Sequence, residues 1–197
     1  GPKAILPSLA GSESVFTNHG IAMIADPRAT WGITEGNPIW MEMCEVAVRT
    51  EPTFLLNIAL NVKRQITGVF AGDMLAAHAR GCEFVKQNAM VEVGAPYDIV
   101  ITTNSGYPLD QNLYQSVKGM SAASQVVRQG GAIIIATACE DGLPDHGGYA
   151  ELLAQAGSVQ GIIDMLATPG FTAHDQWQIQ VQAQIQQKAE VYVYSDG

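Results

Sequence analysis

The stretch Asp98–Cys139, DIVITTNSGYPLDQNLYQSVKGMSAASQVVRQGGAIIIATAC, constrains the fold of this chain more than any other. Two β-branched apolar runs, Ile99–Thr103 and Ala132–Thr137, flank a segment whose apolar residues Leu109, Leu113, Val117, Met120, Ala123 and Val127 are spaced 4, 4, 3, 3 and 4. That spacing is helical. Pro108 suits a first helical turn, where its missing N–H is not needed, and Gly130–Gly131 suit a C-terminal stop. Strand, crossover helix and strand make a βαβ unit, whose strands run parallel. Both runs are apolar at nearly every position, which predicts a sheet covered on both faces.

The same unit carries polar groups. Tyr114, Gln115 and Lys118 stand at i, i+1 and i+4, on one flank of the helix beside its apolar stripe. In an open α/β sheet, ligands bind beyond the carboxyl ends of the strands, where the loop Asn104–Tyr107 and this first turn lie. Spacing alone favours a solvated helix flank over a binding face.

Composition narrows the partners. Of 197 residues, 47% are hydrophobic and 15% charged, which describes a globular protein with an ample core. A formal net charge of −9 without a Lys/Arg cluster excludes nucleic acid and an anionic membrane as partners. No apolar run approaches the roughly 20 residues of a membrane span. Cys44, Cys82 and Cys139 show no CxxC pairing; an odd, scattered set argues for a reducing compartment, and the cytoplasm is the expected location. Nothing in the composition speaks against a homo-oligomer.

Taken in order, Gly1–Gly20 holds a lone Lys3 and a lone His19, residue types that are commonly surface and core filler. Asn37-Pro38 is a strong helix start, and the helix is expected to run to Arg49 with Ile39, Met43, Val46 and Ala47 inward. Thr53–Leu60 and Gln65–Phe70 read as a hairpin, followed by a helix over Met74–Gln87. His78 in that helix has no second histidine or carboxylate at i±4 and reads as a packing or capping residue. A boundary is expected within Ala89–Pro96. Cys139–Gly148, CEDGLPDHGG, is too acidic for a phosphate cradle and reads as a substrate-edge loop or lid, with His146 unassigned. Tyr149–Leu166 reads as helix interrupted near Gly157. Trp177–Gln186, WQIQVQAQIQ, alternates as a strand would, but Gln and Ala favour helix and Val191–Tyr194 is the better strand. An α/β alternation needs a helix before that strand, so the segment is read as helix.

SGYPLDQNLYQSVKGMSAA closely resembles the corresponding stretch of the nickel-dependent lactate racemase family. So do GPKAILPSLAG at Gly1–Gly11, TNH at Thr17–His19, WGITEGNP at Trp31–Pro38 and VFAGD at Val69–Asp73, all in the family's order. Ser8 departs from the family's glycine. Members of that family are about twice as long, so the resemblance implies a middle-to-late portion. Residues 1–92 would be the later part of an N-terminal cofactor-binding domain. Residues 95–197 would be a C-terminal α/β domain, incomplete at its end. The expected fold class is α/β with two lobes, the second an open, mostly parallel βαβ-type sheet covered by helices.

The resemblance also implies chemistry. The family's cofactor is a nickel-pincer nucleotide attached through a thioamide to a lysine, a role that falls on Lys3. A histidine nickel ligand follows, which falls on His19, making it both the metal ligand and a cofactor-binding residue. Lysine amines form covalent links readily and neutral imidazole is a good nickel ligand. Gln115, Lys118 and Tyr114 would bind the substrate or its developing keto oxygen, and Trp177 aligns with an active-site tryptophan. The implied reaction interconverts the enantiomers of lactate, or of another 2-hydroxy acid, by hydride transfer at C2 through a transient 2-keto acid, in a cleft between domains. The family's two catalytic histidines precede the lysine motif, so the chain alone is expected to be inactive; the resemblance assigns neither role to His78, His146 or His174. Two other readings compete: a racemase or epimerase of a different 2-hydroxy acid, and a non-catalytic α/β binding module.

Overall fold

The computed structural model describes residues 1–196, and the chain divides into two units, Gly1–Glu92 and Val93–Gly197. Gly197, the last residue of the expected C-terminal domain, lies outside the described residues.

The first unit opens with a 3-10 turn at Pro2–Ala4, then the short helices α1 (Ser12–Asn18) and α2 (Ile21–Ala25). Helix α3 (Pro38–Arg49) starts where expected: Pro38 takes the first position and the Asn37 side chain accepts from Trp40 N at 3.2 Å. Its fully buried residue is Ala47. Strands β1 (Leu55–Leu60) and β2 (Ile66–Gly72) pair antiparallel. Their turn is built by Asn61, whose Oδ1 accepts from Lys63 N at 2.9 Å and Gln65 N at 3.0 Å. Helix α4 (Met74–Ala89), capped by Asp73, packs its Met74–Ala77 end and Phe84 on one face of the hairpin, Phe84 lying 5.5 Å from Phe70.

The second unit contains β3 (Tyr97–Thr103), α5 (Leu113–Ser124), β4 (Val127–Ala136), α6 (Tyr149–Ala156), α7 (Val159–Ala167), α8 (Gln176–Lys188) and β5 (Ala189–Tyr194). Strand order is β3-β4-β5, and both pairings are parallel. Gly157, at φ +64, ends α6 and Ser158 caps α7. The glutamine-rich segment is helical, with Gln176, Ile179, Gln180 and Ala183 on its buried side.

Two local expectations fail here. The helix of the βαβ unit does not begin at Pro108 or Leu109, nor does it run to Gly130–Gly131. Asn112 caps it, its side chain accepting from Gln115 N at 3.1 Å, while Leu109 stays half-exposed in the preceding turn. Val127 already belongs to β4. The glycine pair sits inside that strand, where the register slips between Tyr97↔Val127 and Ile99↔Ala132. Gly130 adopts φ +71, and a Cβ on Gly131 would stand 2.6 Å from Asp98 O. The pair therefore serves a strand irregularity rather than a helix cap.

The sheet is also covered by this unit's helices on one face only. β3→β4 and β4→β5 step in the same direction, and two right-handed crossovers stepping the same way leave both helices on the same side. Ile133 and Ile135, with no exposure, face α5 and α8; Ile99 and Ile101 on the other face are 60% and 75% exposed.

Candidate active site

The first turns of α5 stand at the carboxyl edge of the sheet. Asn104, at the end of β3, holds them there: its side-chain amide donates to Leu109 O and, at 2.9 Å, to Gln115 O. Behind them Ser116 Oγ and Thr137 Oγ1 lie 2.6 Å apart, tying α5 to the end of β4. Gly119 allows this close approach, since a Cβ there would meet Thr103 O at 2.7 Å.

Four residues singled out from the sequence assemble on this frame. Lys118 Nζ donates to Gln115 Oε1 at 2.5 Å. Trp177 Nε1, from the start of α8, donates to Tyr114 Oη at 3.1 Å. Gln178 Nε2 donates to Tyr114 O, and Tyr149 packs edge-on against the Tyr114 ring with centroids 5.5 Å apart. Tyr149 is fully buried and its hydroxyl donates to Gln182 Oε1 at 2.5 Å. Burial raises the Tyr114 pKa above the ordinary phenol value, so the hydroxyl is protonated at neutral pH.

Sequence reasoning missed Asp175. It lies between the loop and α8 with φ +66, accepts from Gly148 N at 2.9 Å, and its charge helps to raise the Tyr114 pKa. The only signal for it was an acidic residue one position before a helix, which is common to many caps. The acidic loop itself joins the frame through Gln111 Nε2, which donates to Asp141 Oδ2 at 2.6 Å.

In the first unit, Lys3 is exposed on the 3-10 turn and His19 follows the last residue of α1. Asn18, fully buried, fixes this end of α1 by donating to Glu42 Oε2 at 2.8 Å and Ile39 O at 3.1 Å. Burial and then the Lys3 charge lower the His19 pKa, while Glu42 pulls the other way. Lys3 and His19 thus sit within electrostatic reach of each other, and the imidazole is neutral at pH 7. An accessible amine within electrostatic reach of a neutral imidazole is a donor set that fits a lysine-linked group carrying a divalent metal of borderline softness.

The other histidines differ. His78 packs edge-on against Trp40 at 5.5 Å, with Cys82 Sγ 3.5 Å from its Nε2, a packing role as expected from sequence. His146 is exposed beside Asp145. The three cysteines are free thiols; burial pushes Cys44 up to about 11, which makes it a poor nucleophile. Among the described residues no helix is long and apolar enough to cross a membrane.

The Lys–Gln pair and the Tyr–Trp pair stand at the carboxyl edge of a parallel sheet, the edge at which α/β units commonly bind ligands. Residues 93–197 match the family described as the lactate racemase C-terminal domain. The chain belongs to the lactate racemase family, a family of isomerases. It is 40% identical over 201 residues to lactate racemase of Thermoanaerobacterium thermosaccharolyticum and 38% identical over 197 residues to that of Lactiplantibacillus plantarum. Each alignment takes in 100% of this chain and 46% of the relative, so the chain spans about half the length of the curated relatives it matches. The solved apoprotein of the T. thermosaccharolyticum enzyme superposes with a TM-score of 0.93 at 38% identity, over 100% of this chain and 47% of the other.

Proposed function

We propose that this chain carries the cofactor anchor and the substrate-binding residues of a 2-hydroxy-acid racemase, with lactate as the first substrate to test. The observation that carries this reading is the joint placement of Tyr114, Gln115, Lys118 and Trp177 on one edge of the second unit. In it, the Lys118 ammonium receives the substrate carboxylate. Gln115, whose Oε1 is taken by Lys118, turns its amide N–H groups toward the substrate oxygens. Trp177 and Tyr114 wall the pocket and limit access of water to C2.

Lys3 is the residue that would be covalently linked to a nickel-pincer nucleotide and His19 the one that would bind the nickel. When bound, that group supplies the acceptor and donor of hydride at C2. His19, neutral through burial, offers a ring nitrogen lone pair without first losing a proton. We assign no proton-transfer step to His78, His146 or His174. The reading places the protein in the cytoplasm, where its three thiols stay reduced.

Intact mass and nickel content of the full-length protein, co-expressed with the enzymes that make the cofactor, test this. The expected result is an adduct on Lys3, about one nickel per chain as one imidazole site implies, and loss of both in Lys3→Ala. An unmodified, metal-free Lys3, under conditions that load a control racemase, would overturn it in favour of a binding module. Racemisation assays on a panel of 2-hydroxy acids then separate lactate from its neighbours.

A further inference from the structure

Asn18 is the last residue of α1 and immediately precedes His19. It has no exposure, and its side-chain amide gives both of its protons to one helix. Nδ2 donates to Glu42 Oε2 at 2.8 Å and to Ile39 O at 3.1 Å, in the first two turns of α3. Ile39 and Glu42 stand at i and i+3, so both acceptors lie on one face of that helix. A planar amide that serves two acceptors at once fixes both its distance from α3 and its own rotation.

His19 inherits this placement through the backbone. Its N–H donates to Val15 O at 2.8 Å, which closes α1, and Gly20 N donates to Thr17 O at 3.1 Å. The turn after His19 is tight: a Cβ on Gly20 would crowd Phe16 O and Thr17 O at 3.0 Å. The 3-10 turn that carries Lys3 packs on α3 as well. One helix is thus the common floor under both residues.

For stability alone the amide is a poor choice. Asn18 Oδ1 is buried and has no hydrogen-bond partner. An acceptor shut away like this carries a desolvation cost that leucine, with the same branched skeleton, would not incur. Neither acceptor on α3 depends on Asn18. Glu42 is half-buried and can turn its carboxylate to water, and Ile39 O belongs to the hydrogen-bond ladder of the helix.

We propose that Asn18 is a positioning residue for His19, pinning the end of α1 to α3 so that the imidazole is held in one place for a divalent metal. This rests on the reading of His19 as the nickel ligand. Asn18, fully buried, acts through the chain it shares with His19.

The test uses the full-length protein, with and without the co-expressed cofactor enzymes, and the variants Asn18→Leu and Glu42→Ala. In the loaded proteins, release of nickel to excess chelator is followed by metal content, while intact mass reports the Lys3 adduct. Asn18→Leu should keep the adduct and release nickel about tenfold faster, the scale on which groups one shell out from a metal act. In the unloaded protein its urea midpoint should equal or exceed that of the wild type, which a residue retained for stability would not allow. Glu42→Ala removes one of the two bonds at a half-buried position and should speed release by a smaller factor. Wild-type release rates in both variants overturn the proposal, and so does an Asn18→Leu midpoint that falls in step with nickel retention. A wild-type protein with neither adduct nor nickel instead removes the His19 reading, and the role of Asn18 with it.

Discussion

The indole of Trp177 donates to the phenol oxygen of Tyr114 across 3.1 Å, joining the start of α8 to the first turn of α5 over 63 residues of sequence. The contact is part-buried, so each partner shields the other from water. Trp177→Phe and Tyr114→Phe should each destabilise the chain by about 0.5–1.5 kcal/mol. A double-mutant cycle by urea denaturation should show coupling of about 1 kcal/mol; strictly additive effects would mean the two side chains do not depend on each other.

Lys118 is exposed at its tip and braced at its Nζ by Gln115. Calorimetry with lactate should show a loss of affinity of tenfold or more for Lys118→Gln, as expected when a charge-assisted hydrogen bond is removed. Gln115→Ala leaves the charge but removes the brace and the neutral amide donors, so its loss should be smaller.

The two faces of the second unit's sheet should answer differently to the same truncation. Ile135, with no exposure, faces α5 and α8, and Ile135→Ala should cost about 2–5 kcal/mol. Ile101 is 75% exposed, and Ile101→Ala should cost under about 1 kcal/mol. Equal shifts in thermal midpoint would contradict the one-sided arrangement.

Gly119 lets α5 lie against β3. Gly119→Ala places a methyl 2.7 Å from Thr103 O and 3.0 Å from Ile135 Cδ1. Over-packing of this kind typically costs about 1–3 kcal/mol, despite alanine's better helix propensity. Chemical denaturation gives the sign: a stabilised variant would show that the helix can retreat without loss.

Burial lowers the pKa of both His19 and His78 from the ordinary 6.5. The unfolded chain therefore binds more protons than the folded chain between their folded values and 6.5. Their contribution to stability is complete above 6.5 and declines as pH falls through the folded values. Urea midpoints should drop between neutral pH and mildly acid buffer, and the double variant His19→Gln, His78→Gln should flatten that limb. A midpoint that rises on acidification would contradict the sign.

What was legible in the sequence was periodic or capped. Asn37-Pro38 marked α3 because cap and first-turn chemistry act within a few residues. The hairpin followed from two apolar runs around Asn61, and Gly157 divided α6 from α7. The glutamine-rich helix was recovered only by appeal to alternation of elements, because its own two-residue period pointed to a strand. What stayed hidden was set by distant contacts. Val127 has the spacing of a helix residue but is claimed by β4, and Gly130–Gly131 look like a stop until the approach of Asp98 is seen. Tyr114, Gln115 and Lys118 could be grouped from spacing, whereas Asp175 becomes noticeable only when its bond from Gly148 N, 27 residues away in sequence, is seen.

The bare side of the three-stranded sheet follows from chirality and not from residue choice. Its Ile99, Ile101 and Tyr192 are as apolar or aromatic as many side chains that lie under helices, yet they remain 60%, 75% and 54% exposed. Point substitutions there can alter how that surface wets, but they cannot bring a helix over it. As long as successive strands are added in one rotational sense, the roof is always laid on the opposite side.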